Sequence, residues 1–128
     1  MKNKILIIDD EPDVIMYLRT FLKDHGYTVY CAEDVKSALQ TIKEERPDLI
    51  CLDIMMPEKS GVSFYDYIRK DKELCDIPVI IISGLNEESM ENVIQSTETD
   101  AGHSRFCRFV SKPVDMKQLL SFIKEYLG

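Results

Sequence analysis

The chain has 128 residues, 45% of them hydrophobic and 30% charged, which suits one globular domain with a sizeable core and excludes a disordered chain. A formal net charge of −7 and a pI near 4.8 disfavour unaided binding to nucleic acid or to an anionic membrane surface. The longest apolar runs, such as Ile5 to Ile8, fall far short of a membrane span, and Met1-Lys2-Asn3-Lys4 leads into a strand instead of a signal peptide, so a cytoplasmic protein is expected.

Lys4 to Ile8 is a continuous aliphatic run that reads as a strand covered on both faces, and it ends in the acidic turn Asp9-Asp10-Glu11-Pro12-Asp13. Pro12 suits a first helical turn, and Val14, Ile15, Leu18, Phe21 and Leu22 recur at helical spacing until Gly26. Thr28 to Ala32 reads as the second strand. Asp34 is placed to cap a helix that buries Val35, Ala38, Leu39 and Ile42 and is broken by Pro47. The third strand, Asp48 to Asp53, is an apolar run closed by a single acid and followed by Ile54-Met55-Met56-Pro57. Ser60 lies near the cap of a helix carrying Val62, Phe64, Tyr65 and Ile68, which ends around Asp71.

Pro78 to Gly84 is a fourth strand rich in β-branched residues, finishing in Ser83 and Gly84. Asn86, with Glu87 and Glu88 in the first turn, opens a helix through Met90, Val93 and Ile94. Gln95 to Arg105 is polar and irregular. Phe106 to Val110 is the fifth strand and Ser111-Lys112-Pro113 a turn. Asp115 with Gln118 resembles a capping box for a last helix, whose buried face is Met116, Leu119, Leu120, Ile123 and Leu127.

Strands that alternate with helices imply the α/β class: a parallel sheet with helices on both faces and right-handed crossovers, in one domain spanning residues 1–128. Cys31, Cys51, Cys75 and Cys107 form no Cys-x-x-Cys pair, and His25 and His103 are far apart, so zinc spacing is absent. The cysteines are expected to be core residues or incidental surface thiols.

In a parallel sheet every strand ends on the same side, and ligands collect beyond the carboxyl ends. Asp9 and Asp10, Asp53, Ser83 and Lys112 therefore share one edge. Each has an ordinary explanation alone: Asp10 as a helix cap, Asp9 and Asp53 as turn acids, Ser83 as a strand-end hydroxyl, Lys112 as a solvated cation. Their convergence favours chemistry. Carboxylates crowded together repel one another unless a cation joins them, and all-oxygen ligands point to a hard ion such as Mg2+. Free Asp titrates near ~3.9, so an Asp53 nucleophile is ionised at neutral pH without a neighbouring base. Phosphoryl transfer needs mainly alignment and charge neutralisation. Asp53 is accordingly read as a phosphate acceptor, with Lys112 and the cation neutralising the transferring oxygens and Ser83 hydrogen-bonding one of them.

Asp9-Asp10 after strand one, Asp53 with Pro57 and Gly61 downstream, Ser83-Gly84 after strand four and Lys112-Pro113 after strand five resemble the receiver domain of two-component response regulators, over essentially the whole chain. The alternation alone leaves the strand order open; the resemblance implies a flavodoxin-like order of 2-1-3-4-5. It also implies that Asp53 takes a phosphoryl group from a histidine kinase or a histidine phosphotransfer protein. Asp10 and Asp53 would bind Mg2+ directly, Asp9 directly or through water, and the Met55 backbone carbonyl would complete the protein ligands. Lys112 would contact the phosphoryl group, and a cis bond at Lys112-Pro113 is implied. Phe109 matches the family's switch aromatic, and it suits the core of an aromatic-rich strand equally well.

The expected mechanism is a population shift in which Ser83 is drawn to phosphorylated Asp53 and Phe109 turns inward. The surface of the helix from Asn86, strand five and the last helix then changes for a downstream target or an attached output domain. On this reading the chain is a phosphoacceptor and not an enzyme, beyond assisting its own phosphorylation and dephosphorylation. It contacts neither nucleic acid nor membrane directly. The interval from Ser83 to Lys112 is longer than the family pattern by roughly two helical turns, and a loop over Ser96 to Arg105 is favoured by composition.

Rival readings are an excised receiver of a longer DNA-binding or enzymatic regulator, a small aspartyl-phosphate phosphatase, and a flavodoxin-like FMN carrier. Haloacid-dehalogenase-like phosphatases want a second acid two residues after the nucleophile, where this chain has Met55. An FMN phosphate would be repelled by Asp9-Asp10-Glu11.

Overall fold

The computed structural model describes residues 3–53, 60–84 and 107–128. The helix expected from Asn86, the polar stretch up to Arg105, Phe106 and Met55 lie outside the described residues. The elements are β1 (Lys4–Ile8), α1 (Pro12–Asp24), β2 (Thr28–Ala32), α2 (Val35–Glu45), β3 (Leu49–Asp53), α3 (Ser60–Lys70), β4 (Val79–Ser83), β5 (Cys107–Ser111) and α4 (Met116–Leu127). All strand pairings are parallel, and the five-stranded sheet has the order β2-β1-β3-β4-β5.

The central strands read as unbroken apolar runs because both of their faces are covered. Alternate residues supply the two halves of the core. Leu6, Ile8, Ile50, Leu52, Val79 and Ile81 pack with Ala38 and Ile42 of α2 and Phe64, Tyr65 and Ile68 of α3. Ile5, Ile7, Leu49, Cys51, Ile80, Ile82 and Val110 face the other way, onto Leu18 and Leu22 of α1 and Leu119 and Ile123 of α4. Cys51 and Cys107 are buried core residues, and burial pushes the Cys51 thiol up to about 12. No described helix is long and apolar enough to cross a membrane.

Local signals account for most boundaries. Asp34 caps α2 by accepting the Ser37 N–H at 2.7 Å, and Asp115 accepts the N–H groups of Lys117 and Gln118 at 2.9 and 3.3 Å. The acid at the start of α1 is different: Glu11, not Asp10, occupies the N-cap position. Before Pro47, Arg46 takes a left-handed conformation with φ 48°, which the Pro47 break did not specify. Strand five ends one residue later than the pattern suggested, at Ser111.

Arg69, near the end of α3, is only 2% exposed. Its Nη1 donates to the carbonyls of Cys75 and Ile77 at 3.1 and 3.0 Å, and its guanidinium lies over the Tyr65 ring at 4.9 Å. Asp71 accepts the N–H groups of Glu73 and Leu74 in the same turn. This turn delivers the chain into β4, so Arg69 helps set where Ser83 ends. Arg69→Ala removes this donor from two part-buried carbonyls, and the expected loss is about 2 kcal/mol, ~1 kcal/mol for each because neither is fully enclosed. The urea midpoint should fall by that loss divided by the slope m, with m itself little changed; an unchanged midpoint would contradict the clamp.

Candidate functional site

The carboxyl ends of β1, β3, β4 and β5 bring together the groups expected there. Asp9 directly follows β1, and its N–H donates to the Ala32 carbonyl at 3.1 Å, carrying the β1–β2 pairing one step past the strand. Its carboxylate is then turned inward, with Oδ1 accepting the Glu11 N–H at 2.9 Å. Asp53 is the last residue of β3, paired in register with Ile82. Asp9 and Asp53 are 2% and 3% exposed, whereas Asp10 is exposed. Ser83 closes β4, is fully buried, and its carbonyl accepts the Lys112 N–H at 2.8 Å. That bond ties the turn after β5 to the end of β4. The Lys112-Pro113 peptide bond is cis, as the resemblance implied.

Lys112 reaches across the edge. Its Nζ lies 3.4 Å from Asp53 Oδ2, 3.4 Å from Asp9 Oδ2 and 2.9 Å from Glu11 Oε1. Ligand oxygens of Asp9, Asp10, Glu11 and Asp53 all lie within 4.8 Å of one another. One ammonium does not balance four carboxylates. Burial, and the neighbouring Asp53 charge, outweigh the Glu11 N–H and Lys112 and push the Asp9 carboxyl up to about 6. Burial works to lower Lys112, but the Glu11 hydrogen bond and the Asp53, Asp9 and Glu11 charges hold it above its ordinary value.

The donor set therefore fits a hard divalent cation: oxygen-only, partly buried and, among the described residues, more negative than the Lys112 ammonium alone offsets. Asp9, Asp10 and Asp53 are brought together as expected. Met55, whose carbonyl was expected as a further ligand, lies outside the described residues. Glu11 is the residue that sequence reasoning did not assign; its one signal is its place directly after Asp9-Asp10 in the acidic turn.

Phe109 stands apart from the carboxylates. It pairs in register with Ile81, as Ser111 does with Ser83, so Phe109 and Ser83 project from the same face of the sheet. Its ring is half-buried against the core on the α2 and α3 side.

A family model for the response regulator receiver domain matches residues 5–124. The chain is 32% identical over 124 residues to the phosphate regulon transcriptional regulatory protein PhoB of Escherichia coli, covering 97% of this chain and 51% of that protein. It therefore spans about half the length of this curated relative. The signal receiver domain of a signal transduction histidine kinase from Syntrophus aciditrophicus superposes with a TM-score of 0.82 at 27% identity, over 98% of this chain and 89% of that one. The chemotaxis protein CheY4 of Vibrio cholerae shares the fold, with a TM-score of 0.84 at 22% identity, over 99% of this chain and all (100%) of that one.

The raised Asp9 carboxyl has a consequence for the metal-free protein. The folded state holds this proton more tightly than the unfolded chain, so the Asp9 contribution to stability is fully present below its ordinary value of 3.8 and is lost as pH rises through about 6. A shift of this size corresponds to at most about 3 kcal/mol. Asp9→Asn is expected to be more stable than the native chain in EDTA at pH 7.5, by about 1–2 kcal/mol, with the gap closing near pH 4. Urea titrations at the two pH values measure it; a gap independent of pH would exclude a titrating Asp9 as its cause.

Proposed function

The chain belongs to the response regulator receiver domain family of two-component signalling, and from that premise we propose that Asp53 accepts a phosphoryl group from a histidine kinase or histidine phosphotransfer protein. The observation that carries this reading is the meeting of Lys112 Nζ with the Asp53 and Asp9 carboxylates, each at 3.4 Å, at the carboxyl edge of the sheet. The Asp53 oxygen attacks phosphorus as the bond to the donor nitrogen breaks, and the donor imidazole leaves with the bonding electrons.

Each residue has a defined task. Asp53 is the nucleophile, held almost fully enclosed at the carboxyl end of its strand. Lys112 places a positive charge where phosphoryl oxygens would lie, and its tie to the Ser83 carbonyl keeps that charge at the strand-four end of the site. Ser83, at the end of the neighbouring strand, would supply a hydroxyl to the same oxygens. Mg2+, held by Asp9, Asp10 and Asp53 together with the Met55 carbonyl, would neutralise charge on the transferring oxygens and on the carboxylates.

The switch extends this reading. Phosphorylated Asp53 attracts Ser83, and Phe109, on the same sheet face one pairing step away, turns toward the space released. The surface around β5 and α4 then changes for a downstream protein or an output domain. That the chain spans about half of PhoB, a transcriptional regulatory protein, supports an output domain attached in a longer regulator. The receiver, residues 1–128, acts in the cytoplasm as a phosphoacceptor on this reading, and its net charge of −7 disfavours direct binding to nucleic acid or to an anionic membrane.

Incubation with acetyl phosphate and Mg2+ followed by mass spectrometry is expected to show one phosphoryl adduct, absent in Asp53→Asn and in EDTA. Lys112→Met should slow adduct formation by roughly tenfold or more. An adduct that persists in Asp53→Asn would sink the assignment.

A further inference from the structure

Lys112 is nearer to a solvent-exposed acid than to the two buried ones. Its Nζ lies 2.9 Å from Glu11 Oε1 and 3.4 Å from both Asp9 Oδ2 and Asp53 Oδ2. The side chains of Asp9 and Asp53 are each 3% exposed, and that of Glu11 is 59% exposed. Water screens the Glu11 pair more than the others, so closeness here reflects placement and not a stronger attraction.

The placement has two parts. The Glu11 N–H is held by Asp9 Oδ1 at 2.9 Å, which fixes its backbone over the site. Glu11 also occupies the N-cap of α1 with extended backbone, φ −100° and ψ 110°, yet its side chain makes no capping hydrogen bond. Glutamate is not among the side chains that usually cap a helix, and its longer stem can carry the carboxylate away from the first turn. This one reaches across to a lysine 101 positions away in the sequence.

We infer that Glu11 is a positioning residue, a latch that holds Lys112 closer to its own carboxylate than to Asp53 and must release it before Lys112 can grip a phosphoryl group there. The inference rests on the phosphoacceptor reading of Asp53. No covalent bond changes in the latch itself: the pair of Lys112 with Glu11 is exchanged for a pair with phosphoryl oxygens. A phosphoryl group carries about −1.5 to −2 charges, so the exchange is downhill once it has arrived. The cost of opening the latch falls on the approach to that state. Because the pair is partly exposed, it tunes the rate of phosphorylation and does not block it.

The test compares the native chain with Glu11→Gln and Glu11→Asp. Acetyl phosphate is the donor: its phosphorus–oxygen bond to acetate breaks as the Asp53 oxygen bonds to phosphorus. Both variants are expected to form the adduct roughly two- to fivefold faster, the range that an exposed ion pair allows. Glu11→Asp retains negative charge at the helix start but is one methylene short of Lys112, so it separates the latch from helix-end electrostatics. The gap to the native chain should narrow as salt rises from about 0.05 M to 1 M. Nitrogen-15 NMR of the Lys112 ammonium reads the pair without phosphorylation, and its signal is expected to shift in both variants. Equal or slower adduct formation in the variants, or an unmoved Lys112 signal, overturns the latch. If the native chain forms no adduct while the Lys112 signal does shift, the ion pair stands and the phosphoacceptor reading fails instead.

Discussion

Burying Asp9 and Asp53 side by side at the end of a parallel sheet creates an electrostatic imbalance that the Lys112 ammonium only partly offsets. Both carboxylates are almost fully enclosed, and Asp9 responds by holding its proton up to about pH 6. A fold that served only stability would place apolar side chains or a single paired acid here. The proposed chemistry makes sense of the imbalance, since a cation held between these carboxylates would offset it.

The rest of the structure holds these charges in place. Strands β1 and β3 are adjacent in the sheet, which sets Asp9 beside Asp53 although they are far apart in the chain. Lys112 arrives from β5, two strands away from β3, and is tied by its N–H to Ser83 at the end of β4. Arg69 fixes the turn that feeds β4, so a buried cation on the opposite side of the molecule from Asp9 contributes to the alignment of Ser83. Most of the core, including Ile50, Leu52, Ile80 and Ile81, is there to keep four strand ends in register.

Much of this was legible in the sequence for physical reasons. The buried strands announce themselves as aliphatic runs because both faces are covered, and Asp34 and Asp115 mark helix starts because their side chains satisfy backbone donors. Asp9, Asp10, Asp53, Ser83 and Lys112 could be grouped because a parallel sheet sends every strand end to one edge. The strand order needed the family resemblance. Arg69 was not legible: an arginine in the last turn of a helix reads as solvated, and it is the tertiary fold that brings the Cys75 and Ile77 carbonyls to its guanidinium and makes burial favourable. The pairing of Glu11 with Lys112 was hidden similarly, since periodicity says nothing about which acid of a turn a distant lysine selects.

The proposed phosphorylation of Asp53 requires that the excess of carboxylate at this edge hold a divalent cation. Urea unfolding with and without Mg2+ tests it most directly, because a ligand that binds only the folded state stabilises it by mass action. At a Mg2+ concentration about 100-fold above its dissociation constant the native chain is expected to gain about 2.7 kcal/mol, and a double Asp9→Asn, Asp53→Asn variant almost none. An equal gain in both, or no gain in the native chain, would rule out a cation held by Asp9 and Asp53.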